Sequence, residues 1–371
     1  MTTADQDGRP VRTAVVGLGW AARSIWLPRL GGHPGFGLTA AVDPDAASRA
    51  AVTAEFPDTP VLAAVHEVDP AQVDLAIVAV PNHLHCEIAC SLLLKGIPVF
   101  LEKPVCLTSA EAGRLAEAEH AGGARLLAGS AARHRGDVRA LLAGAGELGT
   151  VRHVELSWVR ARGVPDAGGW FTRGRLSGGG ALVDLGWHLF DVAAPLLGTT
   201  DFAQVIGAVS GDFIARDNAR ASWRAEDGGE STRSGVIDVE DTVRAFLITD
   251  DGVSVSLHAS WASHEDRDVT RVRVEGTEGS ATLRCTFGFS PNRLEHPELT
   301  VTADGQTRAL PLPAEAVGTE YDRQLAELLA QLRGPDGPHR AVEEARRTIG
   351  AIERIYSSAD AAREKAPSNR A

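Results

Sequence analysis

Apolar positions keep two different rhythms along the chain. From Val11 to Ala128 short apolar runs alternate with longer amphipathic stretches. Strands are predicted at Val11–Val16, through GLTAAVDPD to Asp43, and at Asp74–Val80, Pro98–Leu101 and Ala124–Ala128. Helices are predicted at Ala46–Phe56, His83–Lys95 (stopped by Gly96) and Ser109–Ala121. Strands that alternate with helices make an α/β doubly wound parallel sheet. After His134 the rhythm becomes strand-like in GTVRHVELSWVRARG, AQVIGAVS, DTVRAFLITDDGVSVSLHASWA, RDVTRVRVEG and GSATLRC. Turn signals such as Asp250-Asp251-Gly252 join these runs, so this half reads as an open, mostly antiparallel sheet. Helical pieces are expected around 184–197, 319–332 and 340–361, and the polar stretch 210–235 reads as a surface excursion.

A chain of 371 residues is long for one core. The change of rhythm places a boundary near 130: a first domain over 10–130, a second over 131–365, and tails at 1–9 and 366–371. The formal charge of −12 disfavours nucleic acid and anionic membrane as partners. Cys86, Cys90, Cys106 and Cys285 have no framework spacing, and MTTADQDGRP has no apolar signal core. Both point to a cytoplasmic protein with reduced thiols. LAIVAV is too short to span a bilayer.

Chemistry begins at the first strand. Gly17-Leu18-Gly19-Trp20-Ala21-Ala22 reads G-x-G-x-x-A between a strand and a helix. The first glycine permits a tight turn and the second lets the backbone approach a pyrophosphate. Ala22 keeps the helix close to the sheet, and the helix start offers N–H groups to the anion. Asp43 closes the next strand about 20 residues on, where an acid accepts ribose hydroxyls and repels a 2′-phosphate. That favours NAD, while Arg23 and Arg49 leave NADP open. Trp20 is a bulky residue within the loop and a candidate cofactor contact. Two further strand ends carry candidates: Pro81-Asn82 with His85, and Glu102-Lys103 before Pro104. Asn82 is read either as a partner of the nicotinamide side of the cofactor or as a helix cap. His83, His85, Cys86 and Cys90 cannot face one point on a helix, which argues against zinc, and no other metal cluster stands out.

In GGGALVDLGWHLFD, residues 178–191, Asp184, His188 and Asp191 fall within about 60° of one another on a helix. Leu182, Leu185, Leu189 and Val192 share another stripe. The helix is expected to bury that stripe and show an imidazole between two carboxylates that orient it.

With EKP at 102–104, D-x-G-x-H at 184–188, VAVPNHLH, the VEDTV run at 239–243 and the GTEGS turn at 276–280, the chain resembles the glucose–fructose oxidoreductase / inositol dehydrogenase / MocA family. The resemblance implies a Rossmann domain followed by an open-sheet domain, whose outer face packs against another subunit in a homodimer or homotetramer. It implies that Lys103 hydrogen-bonds the reacting oxygen, that Asp184 binds a substrate hydroxyl and orients the histidine, and that His188 is the acid/base. Histidine titrates near neutral pH and a lysine cation stabilises a developing alkoxide, so the chemistry agrees with those roles. Some ketoreductases of the family carry tyrosine at the position of His188, and histidine here leans towards alcohol oxidation.

GVPDAGGWFTRGRLSGGG resembles the family's substrate loop, with Trp170 expected on a sugar or cyclitol face and Arg173 on an anionic group. The expected reaction is NAD-dependent oxidation of a secondary alcohol on a sugar, aminosugar or cyclitol. Three alternatives stay open: an NADPH-dependent reductase of a keto-sugar, with or without a nucleotide; a glycosidase that retains NAD; and a binding protein with a vestigial site.

Overall fold

The computed structural model describes residues 9–165, 169–198, 201–221, 236–334 and 340–365. Residues 1–8 and 366–371 of the expected tails and much of the expected excursion, 222–235, lie outside them. The chain divides into two units, residues 1–131 with 321–346, and residues 132–320 with 347–371. The stretch 321–346, which the sequence puts in the second domain, groups with the first unit.

In the first unit, β1 (Val11–Val16), β2 (Phe36–Val42), β3 (Val61–Leu62), β4 (Leu75–Val78), β5 (Val99–Leu101) and β6 (Leu126–Ala128) pair in parallel in the order β3-β2-β1-β4-β5-β6. The order reverses between β1 and β4, the switch point where sheets of this kind open a crevice for a ligand. All four residues of β4 are buried, as a strand covered on both faces requires. The crossovers are α1 (Leu27–Gly32), α2 (Ala46–Glu55), α3 (His85–Leu94) and α4 (Ser109–Gly122). Local chemistry sets their ends. Asp45 caps α2 by accepting from Ser48 N–H at 2.7 Å, and Thr108 caps α4 through Glu111 N–H at 3.1 Å. Gly123, at φ 61, ends α4 in the left-handed region.

The second unit begins with α5 (Gly136–Ala145), which the strand-like rhythm of the sequence obscures. Its sheet is built from β7 (Val151–Val159), β8 (Phe202–Ser210), β9 (Thr242–Thr249), β10 (Ser254–Ser260), β11 (Val269–Gly276), β12 (Ser280–Cys285), β13 (Glu298–Ala303) and β14 (Gln306–Leu310). The order is β14-β13-β12-β11-β7-β10-β9-β8, antiparallel except where β7 meets β10. The hairpin β13–β14 turns at Asp304-Gly305, a pair with φ 51 and 73, which is an Asp-Gly hairpin signal that the sequence reading passed over.

Alternation along β11 is strict. Thr270, Val272 and Val274 are buried while Arg271, Arg273 and Glu275 face outward. The buried face receives α5, α7 (Trp187–Leu197) and the second part of α9 (Arg340–Lys365), which follows α8 (Thr319–Arg333); the short α6 (Gly174–Ser177) precedes α7 in the chain. The run Gly174–Leu197 is long and apolar enough to cross a membrane by length and composition, yet most of it is buried inside this unit. Leu182, Leu185, Leu189 and Val192 have no exposed surface, so this is a core helix.

Candidate active site

The first unit supplies a cradle for a dinucleotide. Gly17 sits at φ +87, donates its N–H to Val42 O at 2.8 Å, and leaves no room for a side chain: a Cβ there would lie 2.6 Å from Ala79 O. Gly19 is the opposite case. It is exposed, and nothing lies within 4 Å of where its Cβ would be. A π-helical turn, Ala22–Trp26, follows and leads into α1. The helical run already begins at Trp20, with Arg23 N–H donating to Gly19 O at 3.0 Å, and no acid lies in the first turn of the π segment. Ala22 is fully buried, while Trp20 and Ala21 are half-buried.

Asp43 is drawn onto this loop. One carboxylate oxygen accepts from Leu18 N–H and the other from Asp45 N–H, both at 2.8 Å. Arg49 lies beside it, with Nη1 donating to the carbonyls of Asp43 and Pro44 at 2.9 Å. An open glycine, an uncapped helix start and an oriented acid at the next strand end together fit a nicotinamide dinucleotide.

At the ends of β4 and β5 the side chains hold the frame. His85 is 1% exposed, with Nδ1 at 2.7 Å from Pro104 O and Nε2 at 2.8 Å from Val80 O. Burial lowers its pKa, against those two bonds. The sequence offers His85 as a cofactor contact. Both ring nitrogens instead face backbone carbonyls at the ends of two strands, and a neutral ring donates to one of them. Glu102 Oε1 accepts from Trp26 Nε1 at 2.8 Å and Oε2 accepts from Lys103 N–H at 3.1 Å. Desolvation raises the Glu102 carboxyl above the usual range, although the Lys103 charge opposes the shift. Glu102 thereby fixes the backbone that presents Lys103, which is half-buried and joined to Pro104 by a cis peptide bond. Pro81 precedes a short 3₁₀ turn, Asn82–Leu84, in which Asn82 is buried.

In the second unit, the glycines of GGGALVDLGWHLFD feed another π-helical turn, Leu182–Gly186, which continues into α7. π turns of this sort recur at functional sites. Asp184 Oδ2 accepts from Trp261 Nε1 at 2.9 Å and lies 3.9 Å from Arg160 Nη1. Arg160 packs over the Trp158 ring at 5.0 Å, and Trp158 packs against the His188 ring at 5.6 Å. Acid and imidazole are therefore joined through an indole–guanidinium stack. Asp191 behaves differently from expectation: it is buried and pairs with Arg133 Nε at 2.6 Å. The sequence stripe of two carboxylates around one imidazole is replaced by one acid near a tryptophan pair and one acid in an ion pair.

Trp170 opens a short 3₁₀ turn and stacks on Phe171 with centroids 4.2 Å apart, half-buried. The Arg173 carbonyl starts α6, accepting from Leu176 and Ser177 N–H. Both residues border 166–168, which lie outside the described residues. Sequence reading gave no role to Arg160, Trp261, Glu240 or Tyr356. VEDTV was the visible trace of Glu240, whereas Tyr356 meets it from 116 residues away and leaves no local signal.

Comparison with known proteins agrees with this division. An oxidoreductase-family model described as an NAD-binding Rossmann fold matches residues 11–130, and a GFO/IDH/MocA C-terminal domain model matches 137–282. A protein of Amycolatopsis mediterranei (strain S699) with the provisional name UDP-kanosamine synthase oxidoreductase subunit is 57% identical over 95% of this chain and 97% of its own. Two solved structures share the fold. One, from gentamicin A biosynthesis and in complex with NAD, has TM-score 0.72 and 24% identity, covering 97% of both chains. The other is a 3-ketoreductase of Actinomadura kijaniata with NADP and TDP-benzene, with TM-score 0.74 and 20% identity over 94% of this chain and 98% of its own.

Proposed function

Because the chain belongs to the GFO/IDH/MocA family of oxidoreductases, we propose that it removes hydride from a secondary alcohol of a nucleotide-linked sugar, with NAD as acceptor. What supports the reading is, in the first unit, an open glycine loop beside Asp43, with the second unit contributing Asp184 and His188 on one helix. Bound nicotinamide supplies the hydride acceptor. The chain's own residues manage the proton and the oxygen. His188 takes the hydroxyl proton, a role that suits an imidazole near neutral pH. Lys103 hydrogen-bonds the reacting oxygen and stabilises its developing negative charge. Asp184, held by Trp261 and Arg160, accepts from a substrate hydroxyl.

The nucleotide-linked sugar is favoured over a free sugar or a cyclitol by the relative from Amycolatopsis, whose name contains a UDP-aminosugar. Building an amine at a carbinol carbon calls for a ketone first, so oxidation of the parent UDP-hexose is the step an oxidoreductase would supply. Trp170 and Arg173 are the residues proposed to meet the sugar face and an anionic group. The two oxygens of Asp43, oriented by Leu18 and Asp45, favour NAD over NADP at the ribose, while Arg49 is already seated on carbonyls. A cytoplasmic homodimer or homotetramer through the outer sheet face is part of the same reading. That face carries Glu155, Arg271, Arg273, Arg284 and Glu298 around a shared groove, with Ile206 and Phe246 exposed near its edge.

The test is calorimetric titration with NAD, NADH, NADP and NADPH, followed by incubation with UDP-glucose and NAD. Tighter binding of NAD(H) with NADH formation is expected. Preference for NADP(H) with reduction of a keto-sugar would replace this reading by the reverse reaction. Light scattering that finds only monomer would remove the oligomer.

A further inference from the structure

Glu240, just before β9, is 8% exposed. Its carboxylate accepts from Gly180 N–H through both oxygens at 3.2 and 3.0 Å, from Leu182 N–H at 2.9 Å, and from the Tyr356 hydroxyl at 2.9 Å. Its backbone carbonyl accepts from Ala181 N–H at 3.2 Å. Three consecutive residues at the start of the π turn are therefore tied to one residue from another element. The glycines are what make that approach possible. A Cβ on Gly180 would lie 1.8 Å from Glu240 O, and one on Gly179 would lie 2.1 Å from the Tyr356 hydroxyl oxygen.

An ordinary cap is a local serine or aspartate that only ends a helix. Here the acid comes from the sheet, so it fixes where the helix starts relative to the strands. The next residue completes the arrangement. The Asp241 carbonyl accepts from Trp261 N–H at 2.8 Å, and the Trp261 indole is the donor that holds Asp184. The Asp241 carboxylate meanwhile anchors the N–H groups of Phe213 and Ile214 at 2.6 and 2.7 Å. One dipeptide thus grips the helix by its start and grips Asp184 by its partner.

We propose that Glu240, braced by Tyr356, is the positioning residue of this helix and sets the places of Asp184 and His188. The proposal rests on the reading of those two residues as the reacting pair. Displacement of a reacting group by about 1 Å can lower turnover on the order of 100-fold.

The experiment follows the His188 imidazole by NMR in histidine-labelled full-length protein, with His188→Asn assigning its signal. The Trp158 ring 5.6 Å away makes that signal sensitive to position. In Glu240→Gln the His188 signal is expected to move and broaden while that of His258, on β10 of the same sheet, stays. Tyr356→Phe is expected to move it less, in the same direction, and the double variant no further than Glu240→Gln. NAD affinity should be unchanged, and turnover of UDP-glucose should fall about tenfold or more. An unmoved His188 signal in a folded Glu240→Gln protein, with only a lower melting temperature, makes Glu240 a plain structural cap and overturns the proposal. If Glu240→Gln does not fold, Tyr356→Phe decides in the same way. Full turnover by His188→Asn would instead sink the catalytic reading, and the NMR result would still stand by itself.

Discussion

Two glycine-led helix starts share a design and differ in where the anion comes from. In the first unit Gly17-Leu18-Gly19 leads into the π turn Ala22–Trp26; in the second, the glycines at 178–180 lead into the π turn Leu182–Gly186. Both starts bring together N–H groups that have no acceptor within the helix itself, at its positive end. At the first, Gly19 precedes the helical run, has no side chain to cap it, and looks into open space. At the second, Glu240 fills the position with its own carboxylate. On the reading proposed above, the open start is a binding site and the filled one a mount, so that one local geometry would receive a cofactor in one unit and hold side chains still in the other.

The sharpest way to break this comparison is to ask whether the mount carries anything. His188→Asn should lower turnover by roughly 100- to 10,000-fold, the range for losing a general acid/base, with NAD affinity kept. Lys103→Ala should do the same. Steady-state kinetics beside titration calorimetry separates the two quantities, and near-normal turnover in either variant removes its proposed role.

Next in size is a pair of alanine substitutions that treat the two starts alike. Gly180→Ala forces a Cβ to 1.8 Å from a backbone oxygen, and overpacking against main chain should destabilise by about 3 kcal/mol or more. Gly19→Ala meets no atom within 4 Å, so stability should stay within about 0.5 kcal/mol. Its cofactor affinity should nonetheless fall about tenfold or more, since the methyl occupies the approach to the N–H groups. Urea unfolding and calorimetry on both variants provide the contrast. A stable Gly180→Ala protein, or a Gly19→Ala protein that binds NAD normally, would erase the distinction.

Much of the first start was legible in the sequence, because G-x-G-x-x-A, the strand before it and Asp43 lie within one stretch and act through backbone geometry. The second start was half legible. Asp184 and His188 stood out by helical spacing, but the same spacing misassigned Asp191, whose partner Arg133 lies in a distant stretch. A π turn also inserts extra backbone into the period that a regular helix assumes. Glu240, Trp261 and Arg160 converge on the helix from just beyond the ends of separate strands, and a single sequence carries no sign of such long-range meetings. The hairpin β13–β14 was missed for another reason: β14 is largely exposed and lacks the apolar alternation of a covered strand.

A smaller effect sharpens the open start. Asp43→Ala removes both the acid proposed to meet the ribose and the acceptor of Leu18 N–H. NAD affinity should drop on the order of tenfold, the loss of one charge-assisted hydrogen bond, while NADP affinity drops less or rises. Parallel titrations with the two cofactors measure the ratio. An unchanged ratio would mean that Asp43 only closes the loop.

The smallest effect tests what the filled start costs. Desolvation raises the Glu240 carboxyl above the usual glutamate range, although bonds from Leu182, Tyr356 and Gly180 pull the other way. The folded state then holds this proton more tightly than the unfolded chain does. Its contribution to stability is full below the ordinary glutamate value and is lost as pH rises through the raised value. Glu102 and Asp268 are raised by desolvation too, so the whole protein's pH profile mixes several groups. The difference between wild type and Glu240→Gln isolates one of them. Measured by urea midpoints from pH 4 upward, roughly from the ordinary glutamate value, that difference should shrink as Glu240 ionises and then level off. A difference that grows over the same interval would mean that the N–H groups stabilise the carboxylate more than burial opposes it. The second start would then bind its internal anion favourably, as the first is proposed to bind a phosphate, and only the source of the charge would separate them.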